Sequence, residues 1–267
     1  MTENDPARLQ KLKGLGFRLE YLREIDSTNQ EAMRRAANGE PSGLVLLADH
    51  QTQGRGRLGR TWQAEPLSSL LASVLVKPEI APASLGLVPI VSGLALAQAI
   101  EAAAHFQPGL VWPNDLFGAQ GKIAGILVES IFEKSDLKFI VIGSGVNLAQ
   151  KKADFPAEIR ARASSLYEET GRLIAREDLL FAYLEKLSRG LGILEREGVR
   201  ELVENYSGYD IIAGKEIRLL KGGEEIRGTA LGIDSRGRLK VMIGGQELTF
   251  AAGEISMIRG RNDAAGY

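Results

Sequence analysis

Residues 69–77, Ser-Leu-Leu-Ala-Ser-Val-Leu-Val-Lys, limit the fold more than any other stretch of this chain. The run is almost continuously apolar, so as a strand it is apolar on both sides and reads as buried on both faces. Such a strand needs cover above and below. The next apolar stretch, residues 85–104, contains Pro89, Ser92, Gly93, Gln98 and Glu101, and it reads as a buried helix and not a membrane span. With 267 residues and 44% hydrophobic content, the chain suits one large domain or a main domain with a small one.

Other elements follow from period and punctuation. A short helix is expected over residues 7–13 and a strand over 18–24. Asp26-Ser-Thr-Asn29 then opens a helix, with Ser27 as N-cap, Gln30 at the capping-box position, and Ala32, Met33, Ala36 and Ala37 as its apolar side. Strands are expected at 44–48 and 109–112. Residues 122–132 and 138–148 read as paired strands joined by a charged turn, and residues 176–197 as an amphipathic helix. After Tyr209 the character changes. Short alternating segments at 215–220, 225–233, 239–243, 247–250 and 254–258, separated by glycine-rich turns, predict a small barrel of SH3-like size.

Composition narrows the chemistry. The chain has no cysteine, which excludes disulfides, thiolate metal sites and a cysteine nucleophile, and fits a reducing compartment. A formal charge of −1 supplies no global field for nucleic acid. Residues 1–17 carry no apolar signal core, so a cytoplasmic protein that avoids membranes is expected. His50 and His105 have no metal-ligand pattern, and no serine sits in a nucleophile elbow.

Residues 51–62, Gln-Thr-Gln-Gly-Arg-Gly-Arg-Leu-Gly-Arg-Thr-Trp, are the strongest pointer to function. Gly54, Gly56 and Gly59 let backbone approach a ligand closely, and Arg55, Arg57 and Arg60 set permanent cations beside it. Trp62 can close an apolar wall. The expectation is a binding loop that orders on an anion. Its letters also match G-x-G-x-x-G, but five polar residues separate the loop from the preceding strand and no helical period follows, so the dinucleotide fingerprint fails. Trp112-Pro-Asn-Asp115 puts Asn114 and Asp115 at a strand end, where α/β sites often lie. Along the strand from Lys122, alternation puts Lys122, Ala124, Ile126 and Val128 on one face and Gly125 on the other. A snorkelling surface lysine fits that position equally. The small residues of Gly143-Ser-Gly-Val-Asn147 mark close approach by a ligand or by another backbone.

Taken in order, Asp26 to Asn29, Gln51 to Trp62, Trp112 to Asp115, Gly121-Lys-Ile-Ala-Gly-Ile-Leu-Val-Glu129, Gly143 to Asn147 and the tail Gly253-Glu-Ile-Ser256 closely resemble the biotin–protein ligases, across residues 20–258. The resemblance implies an α+β fold: a mixed-sheet catalytic domain over residues 1–208, of the biotin/lipoate protein ligase type, and a small C-terminal SH3-like β-barrel over 209–267. It implies an enzyme that uses ATP and Mg²⁺ to make biotinyl-5′-AMP, then transfers biotin to one lysine of a biotin carboxyl carrier protein domain.

By the same resemblance, Lys122, Arg55 and Arg57 carry the chemistry. Ser27, Thr28, Asn29, Gln51, Gly54, Arg55, Gly56, Arg57, Lys122 and Gly125 meet biotin. Arg57, Arg60, Trp62, Asn114, Asp115, Lys122 and Asn147 meet ATP or the adenylate, with Asp115 left open between Mg²⁺, adenylate and incoming amine. Two positions depart from the pattern: Val111 stands where the family usually has lysine, and Arg259 comes one residue late for a nucleotide contact. Only 25 residues precede Asp26, and below about 40 residues a module rarely folds alone. The ligase-only class is therefore expected, without DNA binding, and a homodimer is left open. The rival readings are a lipoate or octanoate ligase or transferase of the same superfamily and a nucleic-acid-binding module.

Overall fold

The structure is a computed structural model that describes residues 6–134, 136–196 and 198–257. Its chain order is α1 (Pro6–Gly14), β1 (Arg18–Ile25), α2 (Thr28–Ala37), β2 (Leu44–Gln51), β3 (Ser69–Val76), α3 (Val88–Ala104), β4 (Gly109–Val111), β5 (Asp115–Phe117), β6 (Lys122–Glu133) and β7 (Asp136–Asn147). There follow α4 (Ala157–Arg160), α5 (Leu166–Thr170), α6 (Arg176–Glu195), α7 (Val199–Ser207), β8 (Glu216–Lys221), β9 (Glu224–Ile233), β10 (Leu239–Ile243), β11 (Gln246–Phe250) and β12 (Glu254–Met257). The expected end of the α6 helix at residue 197 and of the last strand at residue 258 lie outside the described residues, as does Arg259.

Seven strands form one sheet in the order β1-β2-β3-β7-β6-β5-β4. Only β1 and β2 run parallel and the other pairs are antiparallel, so the sheet is mixed as expected. β3 lies inside it, fully buried along its length. One face packs against α3 and α6: Val45 and Leu47 of β2, Leu70, Ala72 and Val74 of β3 and Ile140 and Ile142 of β7 share a core with both helices. α3 is apolar almost all round because it is enclosed there, against the sheet and against α6. The opposite face is covered over part of its area by α2, where Ala32 and Ala36 meet Leu44, Leu46, Leu75 and Val141. Ahead of the first turn of α2 that face is covered by the Trp62 indole, which lies over Gly145 and Gly125. The remaining strands form a five-stranded antiparallel sheet, β11-β10-β9-β8-β12, consistent with a small SH3-like domain.

Three local expectations are corrected. Ser27 caps α2 by accepting from the Gln30 amide, but its own N–H is taken by Asp26 Oδ1 at 2.7 Å, so a neighbouring carboxylate performs the reciprocal half of the capping box. Ala37 is exposed, because the side of α2 that reaches the sheet carries Ala32, Ala36 and the partly buried Met33. Finally, Lys122 and Gly125 are not on opposite faces. The pairing of β6 with β5 shifts between Leu116 and Phe117, where Leu116 opposes Ala124 and Phe117 opposes Lys122. The extra residue, Ile123, drops into the core with Ala124, and the bulge turns Lys122 back to the face of Gly125.

Candidate functional site

Register across the sheet builds a flat floor. Leu71 of β3 opposes Gly145 of β7, Gly145 opposes Gly125 of β6, and Gly125 opposes Asp115 of β5. The two glycines leave a trough in which the Trp62 indole lies. A Cβ on Gly145 would come 2.6 Å from that ring, and one on Gly125 would come 3.3 Å from both the ring and the Lys122 side chain. One row over, Ser73 opposes Gly143, and a Cβ there would come 2.1 Å from Asn29 Oδ1. The small residues of this strand therefore admit two side chains from elsewhere in the chain.

At the N-terminus of α2 the polar side chains are buried and bonded to one another. Gln51 Oε1 accepts from Thr28 N at 2.7 Å and from Thr28 Oγ1 at 2.9 Å. Ser73 Oγ lies 2.7 Å from Thr28 Oγ1 and 2.6 Å from Asn29 Oδ1, and its one proton serves one of them at a time. Asn29 Nδ2 donates to Glu129 Oε2 at 2.9 Å. Asp26, just ahead of the cap, takes two hydrogen bonds from Arg34, which hold its carboxyl down at about 2.

The glycine loop has internal order. Gly56 N donates to Arg60 O, Trp62 N donates to Gly54 O, and Leu58 and Gly59 turn through the left-handed region with φ of 54° and 75°. Its cations each have a different partner. Arg55 pairs with Glu129 at 3.3 Å and Arg60 with Glu254 at 2.6 Å, while Arg57 donates to the neutral Asn114 Oδ1 at 2.8 Å. Asn114 is itself fixed, since its Nδ2 donates to Ile126 O and its backbone carbonyl accepts from Ile126 N. Lys122 Nζ stands 2.7 Å from Asp115 Oδ1 and 5.9 Å from the centre of the Trp62 ring.

These elements enclose a cavity of about 340 Å³. Ser27, Thr28, Asn29, Gln51, Arg55, Gly56, Arg57, Arg60, Trp62, Asn114, Asp115, Lys122, Gly125 and Asn147 all line it. Gly54 does not. It packs its α-carbon against the Trp62 carbonyl and borders a neighbouring hollow behind that indole. Two buried polar atoms of the lining, Trp62 Nε1 and Asp115 Oδ1, make no hydrogen bond; the Lys122–Asp115 contact is close but not aligned as one. Leaving such atoms unbonded costs about 1–3 kcal/mol each, and a bound polar ligand would remove that cost. Asn147 is engaged by the protein, donating to Ser164 O at 2.9 Å.

Several lining or supporting residues escaped the sequence reading. Ser73 had a signal, as a polar residue inside an apolar run. Arg162 had none within a charged segment, yet it lines the cavity, and its carbonyl accepts from Lys122 N at 2.8 Å. Glu129 and Glu254 were legible as motif letters only, without their roles. Val111 lines the cavity as a buried apolar residue, and Trp112, also buried, donates its Nε1 to Gly237 O of the β9–β10 turn at 2.8 Å.

Comparison with known proteins gives concordant results. The model of the biotin/lipoate A/B protein ligase family matches residues 21–147, and that of the biotin protein ligase C terminal domain matches residues 212–258. The chain is 33% identical to the biotin–[acetyl-CoA-carboxylase] ligase of Mycobacterium tuberculosis, over 92% of this chain and 91% of that one. It is 30% identical to the bifunctional ligase/repressor BirA of Escherichia coli K12, over 91% of this chain and 74% of that one. Among solved structures, the Aquifex aeolicus biotin protein ligase in complex with biotin and ATP superposes with a TM-score of 0.79 at 30% identity, covering 91% of this chain and 99% of that one.

Proposed function

This chain belongs to the biotin protein ligases, and we propose that the cavity between the arginine loop and the floor of the seven-stranded sheet is where it activates biotin with ATP and hands it to an acceptor lysine. The observation that carries the assignment is the arrangement of polar groups around the cavity. Thr28, Asn29 and Gln51 form a hydrogen-bonded group on one side, joined through Glu129 to Arg55, and Arg57 and Lys122 stand beside Asn114 and Asp115 on the other.

In the first half-reaction a biotin carboxylate oxygen attacks the α-phosphorus of ATP, the new P–O bond forms, and pyrophosphate leaves. Two anions must approach, and negative charge collects on the phosphoryl oxygens. Arg57, paired with a neutral carboxamide, has charge to spare for them, and Lys122 can transfer its ion pair from Asp115 to the phosphoryl group. Thr28, Asn29 and Gln51 recognise the polar end of biotin. Trp62 and the glycine loop exclude water from the mixed anhydride. In the second half-reaction a neutral lysine amine attacks the acyl carbon, AMP leaves with the C–O electron pair, and the amine gives up one proton to solvent as the amide forms. Arg55, bound to Glu129, orients the loop and the biotin carboxylate, while Arg60 and Asn147 stand on the nucleotide side.

Mg²⁺ suits this arrangement as a phosphate-borne ion. Among the described residues no three acidic or histidine side chains form a preformed cage. Asp115 is nevertheless a cavity carboxylate with a buried oxygen lacking a hydrogen bond, and one carboxylate with substrate phosphates is a common Mg²⁺ environment. There the ion would neutralise phosphate charge. The acceptor in this reading is a biotin carboxyl carrier domain, and the setting is the cytoplasm.

The test is label transfer to a purified carrier domain with biotin, lipoate and octanoate as competing acids. Transfer that requires biotin, ATP and Mg²⁺ supports the reading. Transfer of lipoate or octanoate alone would move the chain to the other branch of the family.

A further inference from the structure

The five-stranded sheet forms part of the active-site wall. Residues 253–256, at the start of β12, line the cavity. Two contacts fasten the β9–β10 turn of this sheet to the rest of the chain, one at Trp112 just after β4 and one at Gly86 just ahead of α3. The buried Trp112 indole donates to Gly237 O, and Gly237 lies so close to Gly86 that a Cβ on it would come 2.8 Å from the Gly86 carbonyl oxygen. Gly253 rests on Leu219, with 2.4 Å to Leu219 Cδ1 from a Cβ placed there, which fixes where β12 begins. Glu254, the next residue, is three-quarters covered and meets Arg60 at 2.6 Å, across 194 residues of chain.

At the other side of the loop, Arg55 meets Glu129 of β6. The arginine loop is therefore strapped between two carboxylates from two different sheets, and Arg57 lies between them facing a neutral amide. We propose that Glu254 is a positioning residue: it is the fixed post to which Arg60 fastens the loop, so that the C-terminal sheet holds the lid over the adenylate. This rests on the ligase reading above. It assigns Arg60 mainly to the lid and leaves direct phosphate contact to Arg57 and Lys122. The pair is partly solvent-exposed, and exposed ion pairs change an equilibrium by only about twofold to fivefold. The latch thus holds the loop without preventing product exit.

The experiment uses the full chain with Glu254→Gln, Arg60→Glu, the exchange pair Arg60→Glu with Glu254→Arg, and Glu247→Gln at the opposite edge of the same sheet as control. Two rates are read: escape of preformed biotinyl-5′-AMP, and trypsin cleavage after Arg57 in protein without ligand. Glu254→Gln is expected to speed both about threefold, Arg60→Glu at least as much, and the exchange pair to restore both toward wild type, with the control unchanged. Equal rates in all variants, or acceleration without rescue by the exchange, overturn the latch while the ligase reading stands. A wild-type protein that forms no adenylate defeats the ligase reading, and the cleavage rates then judge the fastening by themselves.

Discussion

Thr28 and Asn29, at the polar end of the cavity, are each 3% exposed, whereas the side chains of Arg55 and Arg60 in the loop above are 45% and 65% exposed. Below, Thr28 and Asn29 are each bonded to protein partners, Gln51, Ser73 and Glu129, so the geometry is set before a ligand arrives. Above, charge is held by single contacts in high dielectric, where each is cheap to break. The floor supplies discrimination and the lid supplies charge and retention. Lys122 belongs to neither, since a bulge in the floor presents it to the cavity beside the lid's tryptophan.

That division can be broken at several points. The largest effect belongs to Lys122→Ala, which is expected to slow adenylate formation by about 10² to 10³ while changing biotin affinity only slightly. Single-turnover pyrophosphate release beside calorimetric biotin binding separates the two, and equal losses would make Lys122 a ground-state holder. Next, Arg57→Ala removes a charge-assisted contact and should speed escape of the adenylate about 10- to 100-fold. Unchanged release kinetics would remove Arg57 from the lid's function.

On the floor, Ser73→Ala leaves Thr28 and Asn29 each short of a buried partner. It should weaken biotin binding about tenfold and cost about 1–3 kcal/mol of stability, without altering adenylate escape. If escape rises instead, floor and lid are not separable. The smallest effect concerns pH. Asp26 titrates at about 2 in the folded chain against 3.8 as its ordinary value, because of Arg34. Its contribution is therefore present above about pH 4 and is lost as pH falls toward 2. Thermal midpoints of wild type and Asp26→Asn should converge over that interval. The difference above it should be small, since both side chains are partly exposed.

Much of this was legible in the letters. The apolar run at residues 69–77 is a strand covered on both faces, the leucines of residues 176–194 are the buried stripe of α6, and the short alternating segments after Tyr209 are the five-stranded sheet. The motif residues also reach a common cavity, with Gly54 outside it. Such features are local: period, turn residues and residue type act within a few positions of one another, so one sequence is enough to determine them.

Tertiary structure decided the rest. The face to which Lys122 points depends on how β6 pairs with β5, and a one-residue shift in that pairing reverses what alternation dictates. The empty sites of Gly143 and Gly145 have meaning only with Asn29 and Trp62 lying in them. Glu254 reaches Arg60 where the β9–β10 turn is also fastened to Trp112, and an ion pair spanning 194 residues leaves no trace in either neighbourhood. Residue type and local period fix which groups the site can use; register and long-range packing fix which of them meet.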